Sequence, residues 1–267
     1  MREIRPGWVY IIGAGPGDPE LLTLRGMHVL SAANTVVYAD SLVNSEILRY
    51  CPPEAKLWTS SDRHLDDIVA IMLEAVKQNH VVARIHSGDP AFYGAITEQM
   101  RMLQAQGISV EIIPGVSSVN AAASRIQREL TVPGVSQTVI LTRVEGRASP
   151  LPPGGSLSEL ARYPATLVIF LSAALANKVS RELVEAGYEQ SDPLIVVYKV
   201  GWPDEQIIES TVKGLAEDLR LHGIHRHALI LAGQSLKTGV TEARSRLYDS
   251  EFSHLFRQSS QDFEDRE

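Results

Sequence analysis

The sequence predicts an α/β fold in two domains, and three observations support this prediction. Short apolar runs such as Trp8–Ile12 alternate with longer segments whose apolar residues recur at helical spacing, which is typical of strands alternating with helices. Turns rich in glycine and proline follow several of these apolar runs. The alternation breaks at Pro133–Gly134 and then resumes, which indicates a boundary between two domains.

The first predicted domain, residues 1–130, is expected to contain four strands and four helices. The strands are Trp8–Ile12, Thr35–Tyr38, Val81–Ile85 and Val110–Ile113, and the helices are Glu20–Ala32, His64–Gln78, Tyr93–Gln106 and Ser118–Arg128. Asp62 is the expected N-cap of the second helix, because a short polar side chain there can accept from the first free amides.

The second predicted domain, residues 131–235, continues the mixed pattern. The predicted strands are Thr138–Leu141, Thr166–Leu171, Leu194–Lys199, Gln206–Thr211 and Ala228–Leu231, and the predicted helices are Leu175–Ala186 and Leu215–Leu221. Residues 236–267 carry both signs of charge without a sustained apolar stripe, so we expect a mobile tail there.

Composition excludes several classes of protein. The formal net charge of −7 argues against general nucleic-acid binding, which needs a basic surface to neutralise phosphates. No run approaches the roughly 18 apolar residues of a membrane helix, and the start of the chain lacks the apolar stretch of a secretory signal. The single cysteine, Cys51, has no partner for an intrachain disulfide, and a reducing cytoplasm is the expected location.

Three turns that follow predicted strands carry the first functional signal. They are Gly13 to Pro19, Gly88 to Pro90, and Pro114–Gly115. Ligands of open α/β sheets bind beyond the carboxyl ends of strands, so the three turns are expected to converge on one ligand site. The alternative is that glycine and proline only terminate the strands, and for any one turn this is the commoner case.

The first turn resembles a dinucleotide fingerprint only in part. Gly13 and Gly15 match its first two glycines, and Asp40 lies near the distance of its ribose-binding acid. The third glycine is replaced by Asp18, and Pro16 keeps the segment out of regular helix. A pyrophosphate site made by the amino terminus of a helix is therefore not expected.

Three segments together resemble the tetrapyrrole (uroporphyrinogen and precorrin) methylases. They read VYIIGAGPGDPELLTLRG from Val9, SGDPAFYG from Ser87 and IPGVSS from Ile113, and the likeness extends from about Trp8 to Gln234. Further segments resemble the members of this family that methylate precorrin-4 or cobalt-precorrin-4 at carbon 11. These are YADSL from Tyr38, QTVILTRVEGR from Gln137 and VYKVGWPDE from Val197.

The resemblance implies two α/β domains with a cleft between them, a homodimer, and a fold different from the Rossmann-type methyltransferases. It implies S-adenosylmethionine as methyl donor in that cleft. The donor contacts carried over by motif are Pro16, Ser87, Gly88, Asp89, Phe92, Ser117, Ser118, Leu171, Val200 and Ala228. Asp89 has an alternative role as a turn-forming residue before Pro90.

The resemblance also implies a tetrapyrrole substrate with many carboxylates, for which cationic side chains are the expected ligands. The candidates are Arg143, Arg147, His86, Lys199, Arg63 and His64. For each of them a solvated charge or a local ion pair is the alternative. Asp40 and Ser41 are candidates for an acid, a base or an orienting role, and equally for a helix cap or turn. No metal site is expected, since any cobalt would arrive within the substrate.

Three other functions are weighed against this hypothesis. Another precorrin or uroporphyrinogen methyltransferase would differ in the carbon that receives the methyl group. A dinucleotide-dependent oxidoreductase would bind a nicotinamide cofactor instead of S-adenosylmethionine. A non-catalytic tetrapyrrole carrier would bind the ring without transferring a methyl group.

Overall fold

Two compact units make up the described part of the chain. The structure is a computed structural model that describes residues 3–146, 150–237, 252, 253 and 255. The first unit comprises the described residues up to Arg125 together with Val197–Gln206, and the second comprises Ile126–Val196 and the described residues from Ile207 onward. The sequence interpretation placed all of residues 131–235 in one domain and did not anticipate that Val197–Gln206 would group with the first unit.

The first unit is built on a parallel five-stranded sheet. Its strands are β1 (Val9–Gly13), β2 (Thr35–Tyr38), β3 (Lys56–Thr59), β4 (Val82–His86) and β5 (Val110–Ile113). They lie in the order β3-β2-β4-β1-β5, and each neighbouring pair is parallel. The carboxyl ends of β4, β1 and β5 therefore lie side by side at one edge of the sheet.

Helices cover both faces of this sheet, which explains why β1 and β4 are continuously buried. The helices are α1 (Leu24–Leu30), α2 (Leu65–Lys77), α3 (Ile96–Ala105) and α4 (Ser118–Arg125), with 3-10 turns at Pro19–Leu21 and Ser45–Tyr50. Alternate residues of β1 face opposite sides: Tyr10 packs in a cluster with Leu30 of α1, whereas Val9 packs with Met72 of α2 and Leu103 of α3. Because Met72 is fully buried, Met72→Ala is expected to cost about 2–5 kcal/mol of stability.

Several helix starts differ from the sequence prediction. The predicted helix Glu20–Ala32 is split, because Leu22 and Thr23 have extended backbones and the Thr23 hydroxyl accepts from Gly26 N as the N-cap of α1. The N-cap of α2 is His64 and not the predicted Asp62. The predicted start at Tyr93 is wrong by three residues, since α3 begins only at Ile96.

The second unit contains a mixed five-stranded sheet. Its strands are β6 (Val139–Arg143), β7 (Thr166–Phe170), β8 (Pro193–Tyr198), β9 (Gln206–Thr211) and β10 (Ala228–Ala232), in the order β6-β7-β10-β8-β9. β6 and β7 are parallel, whereas β7 and β10 are antiparallel. The helices are α5 (Leu157–Leu160), α6 (Ala176–Glu185) and α7 (Leu215–Leu221), with 3-10 turns at Ala173–Leu175 and Gln234–Leu236.

The predicted α/β class with two sheets is confirmed, and the predicted bounds of β2, β5, β9 and α7 match the structure. Within the described ranges every helix is too short or too polar to cross a lipid bilayer. Apart from residues 236, 237, 252, 253 and 255, the predicted tail at 236–267 lies outside the described residues.

Candidate active site

The first two predicted loops are joined by backbone hydrogen bonds at the carboxyl ends of β1 and β4. Gly15 N donates to Gly88 O (3.2 Å), and Gly88 N donates to Gly15 O (2.7 Å). Ala14 N donates to His86 O (2.8 Å) just before this pair. The loop after β1 is therefore fixed against the loop after β4.

The third loop, after β5, packs against the other two without space for a side chain. A Cβ placed on Gly115 would lie 2.2 Å from Gly88 O, and a Cβ placed on Gly13 would lie 2.5 Å from Gly115 N. Glycine is required at both positions because no side-chain atom fits between these backbones. The expected convergence of the three loops therefore occurs within the first unit.

The Asp89 carboxylate ties the second loop to the third. Its Oδ2 accepts from Gly115 N (2.9 Å), while its Oδ1 accepts from Ala91 N (2.8 Å) in a local turn. Bonds from backbone amides to a carboxylate are charge-assisted and stronger than neutral ones. The bond from Ala91 N to Oδ1 is the one expected of a turn-forming Asp89, and the bond from Gly115 N to Oδ2 fixes the second loop to the third.

The remaining expected donor contacts of the first unit differ in exposure. Ser87 and Phe92 are exposed, with Phe92 at 42%, whereas Pro16, Ser117 and Val200 are buried. Ser117 Oγ accepts from Val119 N (3.3 Å) and so caps the first turn of α4, whose first residue is Ser118.

The loop after β1 does not run directly into a regular helix. Asp18 instead accepts from Glu20 N (2.9 Å) at the 3-10 turn Pro19–Leu21, and α1 begins only at Leu24. In a dinucleotide site the pyrophosphate lies on the amides of a helix that directly follows the loop, whereas here a 3-10 turn and an extended segment separate the loop from α1.

His86, at the end of β4, is a buried imidazole beside a buried arginine. His86 is 9% exposed, and its Nε2 has no hydrogen-bond partner within the described residues. Burial first, and the charge of Arg84 second, lower the pKa of His86 to about 3. His86 is therefore neutral near pH 7 and does not provide the positive charge that its predicted role in binding carboxylates requires.

Arg84 was missed by the sequence analysis. It is 6% exposed, and it donates to Gln99 Oε1 (3.1 Å) and Ser60 Oγ (3.0 Å), both neutral groups. Burial lowers the pKa of Arg84 to about 10, so it stays charged at neutral pH. No carboxylate in the described part of the chain forms an ion pair with it. The sequence feature that could have identified Arg84 is that it is the one charged residue in the otherwise apolar predicted strand Val81–Ile85.

The other cationic candidates of the first unit have local partners. Lys199 Nζ bonds Asp204 Oδ2 (2.6 Å), and that bond is the main cause of the raised pKa of Lys199. Arg63 Nε donates to Thr59 O (3.0 Å), and its guanidinium lies 5.5 Å from the centre of the Trp58 ring. His64 forms the N-cap of α2.

Asp40 and Ser41 are exposed in the turn after β2. A hydrogen bond from the Ser61 side chain lowers the pKa of Asp40. Asp40 is therefore ionised at neutral pH, and as an acid it would have no proton to give. The structure places both residues at the same edge of the sheet as the three loops, two strands away from β1.

In the second unit, the expected donor contact Leu171 follows β7 with an unusual backbone. Leu171 has a φ of 52° and is 69% exposed, a left-handed conformation that costs energy for a residue with a Cβ. Ser172 Oγ beside it accepts from Val144 N (3.0 Å), which fixes the end of β6 to the end of β7. Ala228 is the buried first residue of β10.

Arg143, the last residue of β6, donates from Nη1 to Val144 O (3.3 Å). Arg147 lies outside the described residues. Among the residues that are described, no group of three or more His, Cys, Asp or Glu side chains could hold a metal ion.

Comparison with known proteins shows extensive similarity. The family model described as Tetrapyrrole (Corrin/Porphyrin) Methylases matches residues 8–216. A Cobalt-precorrin-4 C(11)-methyltransferase of Priestia megaterium is 47% identical over 251 residues, which cover 93% of this chain and 97% of the relative.

Two solved structures are also similar. The X-ray structure of a cobalt precorrin-4 methyltransferase, a cobalamin biosynthetic enzyme, superposes with a TM-score of 0.84 at 46% identity and covers 86% of this chain and 96% of that one. The uroporphyrin-III C-methyl transferase of Thermus thermophilus, in complex with S-adenosyl homocysteine, gives a TM-score of 0.72 at 28% identity, with 86% and 93% of the two chains covered.

Proposed function

Since this chain belongs to the tetrapyrrole (corrin/porphyrin) methylase family, we propose that it transfers a methyl group from S-adenosylmethionine to carbon 11 of precorrin-4, or of its cobalt form, in cobalamin biosynthesis. The observation that carries the proposal is that the three loops with the family's motifs meet at one edge of the first sheet. The Gly15–Gly88 bonds and the Asp89–Gly115 bond hold them there.

When bound, S-adenosylmethionine would supply a methyl group on a positively charged sulfur; the new bond to the acceptor carbon would form as the methyl–sulfur bond breaks, and S-adenosylhomocysteine would leave as a neutral thioether. The task of the protein is therefore to fix the relative position of two bound molecules, and correct positioning can account for a large part of the rate enhancement. The loops after β1, β4 and β5 suit this task because their backbones are rigidly packed. A protein nucleophile is not needed for such a transfer.

The proposed donor contacts of the first unit lie on its loops, and those of the second unit, Leu171 and Ala228, lie at the ends of strands. Exposed Ser87 offers a hydroxyl and exposed Phe92 an apolar ring, which fit the ribose and adenine of the donor. Leu171 is exposed and has a left-handed backbone, and strained backbones of this kind cluster at sites that contact ligands. The other proposed contacts are Pro16, Gly88, Asp89, Ser117, Ser118, Val200 and Ala228.

For the substrate carboxylates, Arg143 and Arg147 remain the best proposed ligands, because arginine binds carboxylates in a bidentate manner. Arg63 and Lys199 are the next candidates, although Lys199 must share its charge with Asp204. His86 would contribute as a neutral hydrogen-bonding ring.

We further propose a homodimer, which the family resemblance supports. We also propose a cytoplasmic location, which the free thiol of Cys51 supports. Light scattering during size-exclusion chromatography should give about twice the 29.3 kDa of one chain. A mass equal to one chain would refute the dimer.

The methyl transfer can be tested with purified protein, methyl-labelled S-adenosylmethionine and three acceptors: precorrin-4, cobalt-precorrin-4 and uroporphyrinogen III. We expect label transfer to at least one precorrin-4 form, a single added methyl group by mass spectrometry, and its location on carbon 11 by carbon NMR. Uroporphyrinogen III serves as the matched negative control.

Three results would contradict the proposal. A methyl group on another carbon would point to a different precorrin methylase. Preferred methylation of uroporphyrinogen III would point to the other branch of the family. Tight binding of the ring without label transfer would indicate a carrier.

A further inference from the structure

The segment Val197–Gln206, which we call the Trp202 segment, contains the last two residues of β8, the connection to β9 and the first residue of β9, and it groups with the first unit. It is folded into successive turns: Trp202 N donates to Lys199 O (2.9 Å) and Glu205 N donates to Trp202 O (3.1 Å). Lys199 and Gly201 both have positive φ, 45° and 80°. These turns present the half-buried Trp202 indole to the loop Gly13–Pro19, which we call the donor loop.

Trp202 contacts the donor loop in two ways. Its indole Nε1 donates to Pro16 O (3.2 Å). Its ring also lies against Gly17 so closely that a Cβ on Gly17 would be 2.2 Å from Trp202 Cδ1. The two backbones approach as well, since a Cβ on Gly201 would lie 2.8 Å from Asp18 N. The donor loop and the Trp202 segment can therefore pack this closely only because Gly17 lies against the Trp202 ring and Gly201 lies against the backbone of Asp18.

A second side chain holds the next carbonyl of the same loop. Asn44 Nδ2 donates to Gly17 O (2.9 Å), while Asn44 Oδ1 accepts from Glu46 N (3.1 Å) at the start of the 3-10 turn Ser45–Tyr50. Two consecutive carbonyl oxygens, of Pro16 and Gly17, thus accept hydrogen bonds from side chains distant in sequence. Their directions, and so the orientation of both peptide planes, are fixed from outside the loop.

The Trp202 turns are themselves anchored. Glu205 Oε2 accepts from Gly201 N (2.6 Å) and pairs with Arg125 Nε (3.2 Å) at the end of α4. The Lys199 ammonium lies 5.4 Å from the centre of the Trp202 ring, within the range of a cation–π contact. The Trp202 indole is therefore held at its Nε1 by Pro16 O and over its ring by Lys199.

We propose that Trp202 and Asn44 are positioning residues that hold the donor loop in the conformation that binds S-adenosylmethionine. This inference rests on the proposed function, because it takes the loop at Pro16 as a donor contact. Neither side chain is assigned a contact with the reacting atoms. The loop can be fixed in this way because a peptide carbonyl that is hydrogen-bonded by a rigid indole cannot rotate without breaking that bond.

The test is the affinity of Trp202→Phe for S-adenosylhomocysteine, measured by calorimetry, and its steady-state kinetics. Phenylalanine keeps an aromatic ring but loses the Nε1 donor. We expect Kd, and the KM for S-adenosylmethionine, to rise about 5-fold, corresponding to one lost neutral hydrogen bond. At saturating donor, kcat and the KM for the tetrapyrrole should change less than about 2-fold, since the loss acts on donor binding.

Asn44→Asp is the second variant, because aspartate keeps the oxygen that accepts from Glu46 N and loses the donor to Gly17 O. The same selective rise in Kd is expected. The matched control is Trp8→Phe, at the amino end of β1 and so at the opposite edge of the sheet, which should bind like the wild type. Circular dichroism and urea unfolding of each variant check that its fold is intact.

Two results are decisive against the inference. If folded Trp202→Phe and Asn44→Asp bind S-adenosylhomocysteine as tightly as the wild type, the two residues do not position the loop. A uniform fall in kcat with unchanged Kd would exclude the proposed role as well. By contrast, a wild-type protein that binds no S-adenosylhomocysteine would refute the proposed function itself.

Discussion

Acidification should destabilise the first unit in part through His86. In the unfolded chain a histidine titrates near 6.5, whereas burial and the Arg84 charge lower the pKa of folded His86 to about 3. Because the folded pKa is the lower one, the unfolded state takes up the proton first as pH falls. The stability linked to neutral His86 is therefore complete above about pH 6.5 and is lost progressively between about pH 6.5 and 3.

The magnitude follows from the difference in proton uptake. About pH 5 is roughly 1.5 units below the ordinary pKa of histidine, so protonation of this residue stabilises the unfolded state by about 2 kcal/mol. Folded His86 remains almost wholly neutral at that pH. His86 should therefore contribute about 2 kcal/mol to the stability that the wild type loses between about pH 8 and pH 5. In His86→Gln, which does not titrate, the loss over the same interval should be smaller by about 2 kcal/mol.

The assay is urea unfolding followed by tryptophan fluorescence. All three tryptophans, Trp8, Trp58 and Trp202, lie in the first unit, so their emission reports the unit that contains His86. His222→Gln, at an exposed position of the second unit, is the control variant because it removes a histidine without changing the first unit. Equal losses in the wild type and in His86→Gln would refute the reasoning.

Three further predictions concern the first unit. Gly115→Ala places a methyl group 2.2 Å from Gly88 O, so it should lower the free energy of unfolding by about 1–3 kcal/mol or more and abolish binding of S-adenosylhomocysteine. The control Gly146→Ala, whose new methyl group has its nearest neighbour at 3.8 Å, should be tolerated. Similar unfolding midpoints for the two variants would contradict this prediction. Asp89→Asn should cost about 2 kcal/mol in urea unfolding, because the bond to the Gly115 amide loses its charge, and wild-type stability would disprove the proposed link between the loops. Burial raises the pKa of the Cys51 thiol to about 11, so at about pH 8 it should react with a disulfide reagent on the order of 100-fold more slowly in the folded protein than in urea, and comparable rates would count against its burial.

The sequence predicted most strands, and the glycine and proline turns that end three of them, because these depend on local patterns. Runs of apolar residues end in glycine and proline at β1, β4 and β5, and parallel strands place such ends at one edge. β3 was missed because Lys56–Thr59 is a short edge strand whose side chains are mostly exposed, so it lacks an apolar run.

The start of α3 was misplaced because backbone conformation there opposes local preference. Tyr93 and Ala95 adopt left-handed φ of 56° and 49°, and only then does the helix begin. The apolar spacing of the segment gives no sign of this strain, since Tyr93 is compatible with a helix by its side chain alone.

The partners of site residues could not be predicted where they are distant in sequence. Trp202 reaches Pro16 across 186 positions, and Asp89 reaches Gly115 across 26. Such bonds depend on how strands are ordered in the sheet, which the sequence pattern does not specify. Arg84 illustrates the same limit, because its neutral partners come from the end of β3 and from α3.

The first unit is assembled from two separate stretches of the chain, and this limits how the gene can be divided. A fragment ending at Arg125 would contain every glycine turn of the site, yet the carbonyl of Pro16 would lack its indole donor. Complementation with a second fragment that begins at Ile126 would have to restore that hydrogen bond in trans. Split or circularly permuted versions of this enzyme should therefore keep residues 197–206 on the same polypeptide as the donor loop, or supply them at high effective concentration.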